Sequence, residues 1–223
     1  QSRLKMMEKM GTMEKLDTEK NLGFKFNYLS CPGKTLMTVK DLSFSYDNKS
    51  ENNIFSNLSF SIGSRDRIGI IGANGKGKST LINCLAGELV HSSGFITKHP
   101  STRLGHFGQT NIDRLDSENR VLDEILRANQ NLSLQAAHSI CGAMMFDGDL
   151  SKKKISVLSG GERSRVLLGK IISHPTNVLL LDEPSHHLDV ESIESLIEEL
   201  NDYAGALVIV THSELILRSL AKN

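Results

Sequence analysis

The feature that most constrains the fold is a glycine-rich run, residues 72–79, which reads Gly-Ala-Asn-Gly-Lys-Gly-Lys-Ser. Its spacing satisfies the pattern G-x-x-x-x-G-K-S. A short apolar run with the composition of a strand, residues 67–71, precedes it. Apolar residues follow it at helical spacing over residues 81–89. A strand, a glycine turn and a helix in this order predict an α/β unit whose turn can bind an anion.

The residues of this run suit a phosphate group. Glycines let backbone N–H groups converge on phosphate oxygens, because no side chains block the approach. Lys78 would reach the β- and γ-phosphates of a nucleotide, and the Ser79 hydroxyl would ligate Mg²⁺. The alternative is a turn that only connects strand to helix. The predicted nucleotide-binding residues of this loop are Gly72, Asn74, Gly75, Lys76, Gly77, Lys78, Ser79 and Thr80.

Two acidic residues follow a second apolar run. Residues 177–181 read as a strand buried on both faces, and Asp182 and Glu183 come directly after it. The carboxyl end of a strand is where open α/β sheets bind their ligands. We therefore expect Asp182 to hold Mg²⁺ and Glu183 to polarise an attacking water. A solvated loop is the alternative for an isolated acidic pair.

A third element begins at Ser159. Ser159 and Glu162 have the spacing of a capping box, which predicts that a helix begins here. Gly160 and Gly161 leave the first N–H groups of that helix uncovered, and such a helix start can bind an anion. Taken alone, a Ser-Gly-Gly turn would carry little information.

Composition excludes several classes of protein. The 223 residues contain 26 Lys and Arg against 26 Asp and Glu, so the chain has no globally basic surface for nucleic acid. No apolar run approaches the ~20 residues of a membrane-spanning helix. The three cysteines are far apart, which indicates neither a disulfide framework nor a zinc site. We expect a cytoplasmic protein, and the first residue, Gln1, suggests an excerpt from a longer chain.

Periodicity places the remaining elements. Alternating residues predict half-buried strands over 36–44 and 54–62, and an apolar run predicts a buried strand over 206–210. An amphipathic helix is predicted over 193–203, and residues 112–157 are expected to be mostly helical. Alternating strands and helices favour a parallel sheet covered by helices.

These motifs together resemble the nucleotide-binding domain of the ATP-binding cassette (ABC) superfamily from about residue 35 onward. Residues 72–79 match its Walker A motif, residues 178–182 its Walker B motif and residues 158–162 its signature sequence. The resemblance implies an α/β P-loop NTPase of ABC type. It would have a mainly parallel sheet core flanked by helices, an antiparallel β subdomain and a helical subdomain at about residues 112–173.

The resemblance also implies roles for single residues. Gln109 falls at the Q-loop and would touch Mg²⁺ and the attacking water, and His212 matches the switch histidine that contacts the γ-phosphate. Tyr46 matches the aromatic residue that stacks on adenine, with Phe44 as the second candidate. Asp189 matches the D-loop aspartate. In this family the signature completes the site of a second cassette, so a monomer is expected to be a weak ATPase.

One run points to a branch of the superfamily. Residues 184–189 read Pro-Ser-His-His-Leu-Asp and resemble the Pro-Thr-Asn-His-Leu-Asp of ABC-F proteins. The opening residues resemble the end of the ABC-F interdomain linker, so residues 1–33 are assigned to a helical linker and residues 34–223 to the cassette. The resemblance implies ATP and Mg²⁺ as cofactors and a second cassette, or a second copy, as partner. It also implies the ribosome with its rRNA and tRNA as partner, and no membrane insertion.

Some residues depart from the ABC-F pattern or leave alternatives open. His186 stands where the family usually has Asn, and Ser213 with Glu214 replaces Asp-Arg. The pair of His186 and His187 could suggest a transition-metal site. Residues 152–154 are all lysine and could either contact RNA phosphate or form a solvated loop. The alternative function is the energising ATPase subunit of a membrane transporter.

Overall fold

A four-stranded parallel sheet forms the centre of the computed structural model, which describes residues 23–47, 49–186 and 188–220. Consecutive aliphatic residues in its two middle strands are buried on both faces, as a parallel sheet that is covered on both sides requires. Residues 1–22, the first part of the assigned helical linker, lie outside the described residues. In spatial order the strands are β3 (Arg67–Ile70), β7 (Ala206–Val210), β6 (Val178–Asp182) and β5 (Leu104–Phe107).

A three-stranded antiparallel sheet packs beside it. Its central strand is β1 (Thr35–Phe44), flanked by β2 (Phe55–Gly63) and β4 (Ser93–Lys98). Both predicted strands of this sheet are confirmed to within one residue, whereas β4 had not been predicted. The expected antiparallel subdomain is therefore present.

Helices cover the parallel sheet and form the predicted helical subdomain. Residues 112–157 are confirmed as mostly helical, with 3₁₀ turns at Gly148–Lys152 and Ile155–Val157 besides the α-helices. A third 3₁₀ turn lies at Ser50–Asn52. The helices are α1 (Lys78–Ala86), α2 (Gln109–Asp113), α3 (Val121–Ala128), α4 (Leu134–Ala143), α5 (Gly160–Ile172), α6 (Val190–Asp202) and α7 (Glu214–Leu220).

Alternation along β6 divides the core into two layers. Leu179 and Leu181 belong to a cluster with residues of α5 and α6, while Val178 and Leu180 belong to a cluster with residues of α1 and β1. Because successive side chains of a strand point to opposite faces, one strand serves both layers. The parallel sheet is thus fixed between a helical layer and the antiparallel sheet.

Parallel pairing brings the functional candidates to one edge of the sheet. The glycine-rich run of residues 72–79, called the phosphate loop from here on, follows β3. Gln109 follows β5, Glu183 follows β6 and His212 follows β7. The registers of β3 with β7, β7 with β6 and β6 with β5 all run parallel. Their carboxyl ends therefore meet, as open α/β sheets require of a ligand site.

An aromatic segment before β1 packs against the opposite end of this sheet. Phe24 and Phe26 are buried, and the Phe26 ring meets Tyr203 edge-on at 5.8 Å between centroids. The Leu29 N–H donates to the Thr176 carbonyl at 2.8 Å. The predicted boundary at residue 33 stays a prediction, but this part of the assigned linker packs on the cassette.

No helix within residues 23–47, 49–186 and 188–220 combines the length and apolar character needed to cross a bilayer.

Replacing Phe26 with Ala should lower the free energy of unfolding by about 3 kcal/mol, because it empties a buried aromatic site. The matched control is Phe95→Ala, which removes the same ring from a side chain that is 72% exposed and should change stability by under ~0.5 kcal/mol. Urea titrations of both variants measure the difference. Equal stability losses would show that the Phe26 contacts do not hold the segment in place.

Candidate functional site

The phosphate loop owes its shape to two glycines in the left-handed region. Gly75 has φ of 74° and Gly77 has φ of 85°, which side-chain-bearing residues rarely adopt. A Cβ on Gly77 would also lie 2.2 Å from Cγ2 of Ile54. Gly77 is the N-cap of α1, so the first N–H groups of the helix point toward the loop that precedes it.

The Lys78 ammonium lies inside the curve of the loop. Its Nζ donates to the carbonyl oxygens of Gly72 at 2.8 Å and Ala73 at 3.1 Å, and it lies 3.4 Å from Oδ1 of Asn74. These contacts hold one positive charge against the loop. The arrangement suits a polyphosphate, which needs both N–H donors and a cation.

Asp182 ends β6 with its side chain directed toward α1. Burial raises the pKa of its carboxyl group, and a hydrogen bond with the Ser79 hydroxyl partly offsets that effect. Its Oδ1 is buried without a hydrogen-bond partner among the described residues. A buried carboxylate oxygen of this kind is poorly stabilised by protein alone and suits a cation.

The donor set at this point fits Mg²⁺. Ser79, Asp182 and Gln109 offer oxygen atoms, which Mg²⁺ prefers to nitrogen or sulfur, and all three line one small cleft. The described parts of the chain contain no group of three or more His, Cys, Asp and Glu side chains that could hold a metal. His187 lies outside the described residues, so the two-histidine site suggested by the sequence stays a hypothesis.

Glu183 is held in a strained backbone conformation. Its φ of 49° lies in the left-handed region, which costs a residue other than glycine about 1–2 kcal/mol. Its N–H donates to the Val210 carbonyl at 2.9 Å, which ties it to the end of β7. The Oε1 atom is buried without a hydrogen-bond partner in the described structure, while Oε2 accepts from the His212 N–H at 3.4 Å. The Oε1 atom of the carboxylate therefore keeps an unused capacity to accept a hydrogen bond.

His212 connects β7 to the phosphate loop. Its Nε2 is 2.7 Å from Oδ1 of Asn74 and 3.6 Å from Oε1 of Glu183. Because the Asn74 oxygen can only accept, Nε2 must carry the hydrogen. His212 thus contacts residues that surround the predicted phosphate position.

Two clefts meet at these residues. The larger, about 460 Å³, is lined by the loop, Tyr46, Asp182, Glu183 and His212, and falls within the usual size of small-molecule sites. The smaller, about 250 Å³, adds Gln109 to Ser79, Asp182 and Glu183. Gln109 is the first residue of α2, where its amide nitrogen donates to Asp113 at 3.3 Å.

Tyr46 lines the larger cleft, and its aromatic ring is the predicted stacking partner of a nucleotide base. Its side chain is 70% exposed, its ring packs edge-on against Phe44 at 4.9 Å, and its hydroxyl lies 3.1 Å from Oγ1 of Thr80. Phe44 is buried, so the second candidate for this role is wrong: its ring supports Tyr46 instead of facing the cleft.

The signature residues lie elsewhere. Ser159 caps α5, and both hydrogen bonds of the predicted capping box with Glu162 are present, which confirms the predicted helix start. Ser159 and Gly160 are exposed, and neither cleft is lined by residues of this motif. Asp189 caps α6 and lies 3.7 Å from Arg165 of the signature helix.

Sequence reasoning gave Ile54 no role and considered His186 only as a possible metal ligand. Ile54 lines the larger cleft and contacts Gly77, and nothing in its local sequence indicates that contact. His186 lines both clefts, with Nε2 3.9 Å from Oε2 of Glu183. Its position three residues after Glu183 was the available signal.

A protein-family model described as ABC transporter matches residues 55–186, more than half of the chain. The chain belongs to this family. The match covers the phosphate loop, the signature and the two acidic residues that end β6, and it makes the chain an ABC-type ATPase domain.

Relatives and solved structures agree with this membership. Protein GCN20 of Saccharomyces cerevisiae is 30% identical over all of this chain, which spans 29% of that protein. ATP-binding cassette sub-family F member 3 of Mus musculus is 33% identical over all of the chain, which spans 31% of it. The cassette thus has about a third of the length of the curated relatives it matches, and the ABC-F resemblance is confirmed.

The fold recurs in a dimeric ATP-binding cassette solved in a post-hydrolysis state with ADP and phosphate. The two share a TM-score of 0.71 and 19% identity, over 82% of this chain and 91% of that one. This likeness confirms the fold class expected from the sequence.

Replacing Asp182 with Asn should raise the thermal midpoint of the cassette by about 2–4 °C in EDTA without nucleotide, because a buried charge disappears. The same variant should lose the further stabilisation that Mg²⁺ and ATP give the parent. Thermal melts with and without Mg-ATP measure both effects. Asp149→Asn is the control, since that side chain is 93% exposed. A midpoint below that of the parent in EDTA would contradict the electrostatic account of Asp182.

Proposed function

We propose that this cassette binds ATP with Mg²⁺ and hydrolyses it at the edge where the four parallel strands end. One observation carries the proposal: two buried carboxylate oxygens, Oδ1 of Asp182 and Oε1 of Glu183, lack hydrogen-bond partners in the described structure. Both residues line the clefts beside the phosphate loop. An unpaired buried acceptor lowers the stability of the folded protein. Two of them side by side are therefore better explained by a bound ligand or metal ion than by folding alone.

The binding roles follow from position. The loop amides and Lys78 would neutralise the β- and γ-phosphates, and the Tyr46 ring would stack on adenine. Ser79, Asp182 and Gln109 would hold Mg²⁺, which when bound neutralises charge on the phosphates.

Hydrolysis would need Glu183, the second of the two acidic residues at the end of β6. Glu183 would accept a proton from a water in the clefts, and its strained backbone, tied to β7, would fix its direction. His212 would orient the γ-phosphate, since its Nε2 already points toward the loop. A positioned general base supplies about 10²–10⁴-fold in rate.

A second cassette would complete the site. The signature start at Ser159 and Gly160 is exposed, but it is absent from the lining of this chain's own clefts. We infer that it meets ATP bound to a partner cassette, in the same full-length protein or in a second copy. ATP would then join two cassettes, and hydrolysis would release them as a ligand-driven switch.

The ABC-F relatives suggest where the switch acts. On the resemblance, this is the C-terminal of two cassettes, and the protein acts in the cytoplasm on the ribosome with its rRNA and tRNA. Residues 152–154 offer little free charge for RNA, because Lys152 pairs with Asp149 at 2.7 Å and Lys154 with Glu118 at 2.8 Å. Any contact with RNA would have to compete with these ion pairs.

Replacing Glu183 with Gln should leave ATP affinity within about twofold of the parent and lower turnover at least ~100-fold, since many contacts bind ATP but one carboxylate activates water. Binding is measured by calorimetry with Mg-ATP and turnover by phosphate release. Glu194→Gln, on the exposed face of α6, is the matched control and should keep full turnover. Parent-rate hydrolysis by Glu183→Gln would show that another residue is the base.

The Glu183→Gln variant also tests whether the partner is the ribosome or a membrane-spanning protein. Because it should stay in the ATP-bound state, it should co-sediment with purified ribosomes in ATP and much less in ADP. Recovery with a membrane-spanning partner, and not with ribosomes, would favour the transporter alternative.

A further inference from the structure

Gln109 is the first residue of α2, a helix too short to be stable by itself. Helix α2 has five residues, and helices of this length are not stable without tertiary contacts. The position of Gln109 at the smaller cleft must therefore be set by what fixes α2. Two apolar contacts contribute, because Ile112 and Leu115 are buried in the helical layer.

A charged contact fixes the other end of α2. Arg114 is the C-cap residue of this helix, and its guanidinium group forms an ion pair and hydrogen bond with the Glu88 carboxylate. Arg114 holds the pKa of Glu88 below its usual value, so Glu88 carries its charge at neutral pH. An arginine–carboxylate pair has directional geometry that a merely apolar contact lacks.

Glu88 is itself firmly placed by the end of α1. Gly87 follows α1 in the left-handed conformation with φ of 88°, and the Glu88 N–H donates to the Asn83 carbonyl at 2.8 Å. On its other side, Oε1 of Glu88 lies 3.9 Å from Nδ1 of the mostly buried His106. The Glu88 carboxylate thus has a fixed position relative to the end of α1.

The pair therefore ties two helices that start at the same site. Helix α1 begins with Lys78 and Ser79, α2 begins with Gln109, and the ion pair joins their far ends. Ser79 and Gln109 both line the smaller cleft. A shift of α2 would change their spacing directly.

We infer that Arg114 and Glu88 are positioning residues for ATP hydrolysis, which hold Gln109 at a fixed place relative to the phosphate-loop helix. The inference rests on the proposed function, because Gln109 matters only if this site hydrolyses a nucleotide. Neither residue touches the clefts, so both act through α2. Displacements near 1 Å of a positioned group can slow a reaction by up to about 100-fold.

The test uses Arg114→Gln, Glu88→Gln and the exchanged pair Glu88→Arg with Arg114→Glu. Each single variant should lower kcat for Mg-ATP about tenfold and leave KM within about twofold. Amide hydrogen exchange over residues 109–115 should become faster while exchange in the parallel sheet stays unchanged. The exchanged pair should recover most of kcat and the slow amide exchange. Arg218→Gln breaks an exposed ion pair with Glu214 on α7 and is the control that should match the parent.

Three results would overturn the inference. These are parent kcat in both single variants, no recovery by the exchanged pair, or unchanged amide exchange over residues 109–115. The proposed function is judged separately, because it fails if the parent chain shows no hydrolysis that depends on Glu183. In that case the amide exchange of the same variants still decides whether the pair fixes α2.

Discussion

The structure depends on parallel pairing of four strands whose carboxyl ends meet at one edge. Backbone hydrogen bonds between β3, β7, β6 and β5 fix this alignment, and apolar side chains on both faces of β6 hold it between two layers. A slip of one residue in β6 would turn Asp182 away from Ser79 and move Leu179 and Leu181 to the wrong layer. Core packing and site geometry are therefore set by the same register.

The site places unfavourable electrostatics where the fold can tolerate them. Burial opposes the charge of Asp182, two carboxylate oxygens lack partners in the described structure, and Glu183 has a strained backbone. The buried charge and the unpaired oxygens are costly in the protein alone, and under the proposed function a cation, a phosphate and a water in the clefts would supply their missing partners. Binding and catalysis would then draw on interactions that folding leaves unmade.

Much of this arrangement could be predicted from sequence because it depends on local pattern. The aliphatic run of β6 predicted burial on both faces and placed Asp182 at its end, and the spacing of Ser159 and Glu162 predicted a capped helix that the structure confirms. Contacts between distant segments were not predictable in the same way. The hydrogen bond from His212 to Asn74 joins residues 138 positions apart, and the contact of Ile54 with Gly77 depends on how two sheets pack. The alternating aromatic residues Phe24, Phe26 and Tyr28 were a signal for packing, yet they lay in a segment assigned to the linker.

The central claim is that the loop amides, Lys78, Ser79 and Asp182 together receive the terminal phosphates and magnesium of a nucleotide. A crystal structure of the cassette with Mg²⁺ and a non-hydrolysable ATP analogue tests it most directly. The account predicts β- and γ-phosphate density against residues 74–79, with the metal bound by oxygen atoms of Ser79 and Asp182. Nucleotide bound at another surface, with the phosphate loop making no contact to it, would contradict the account.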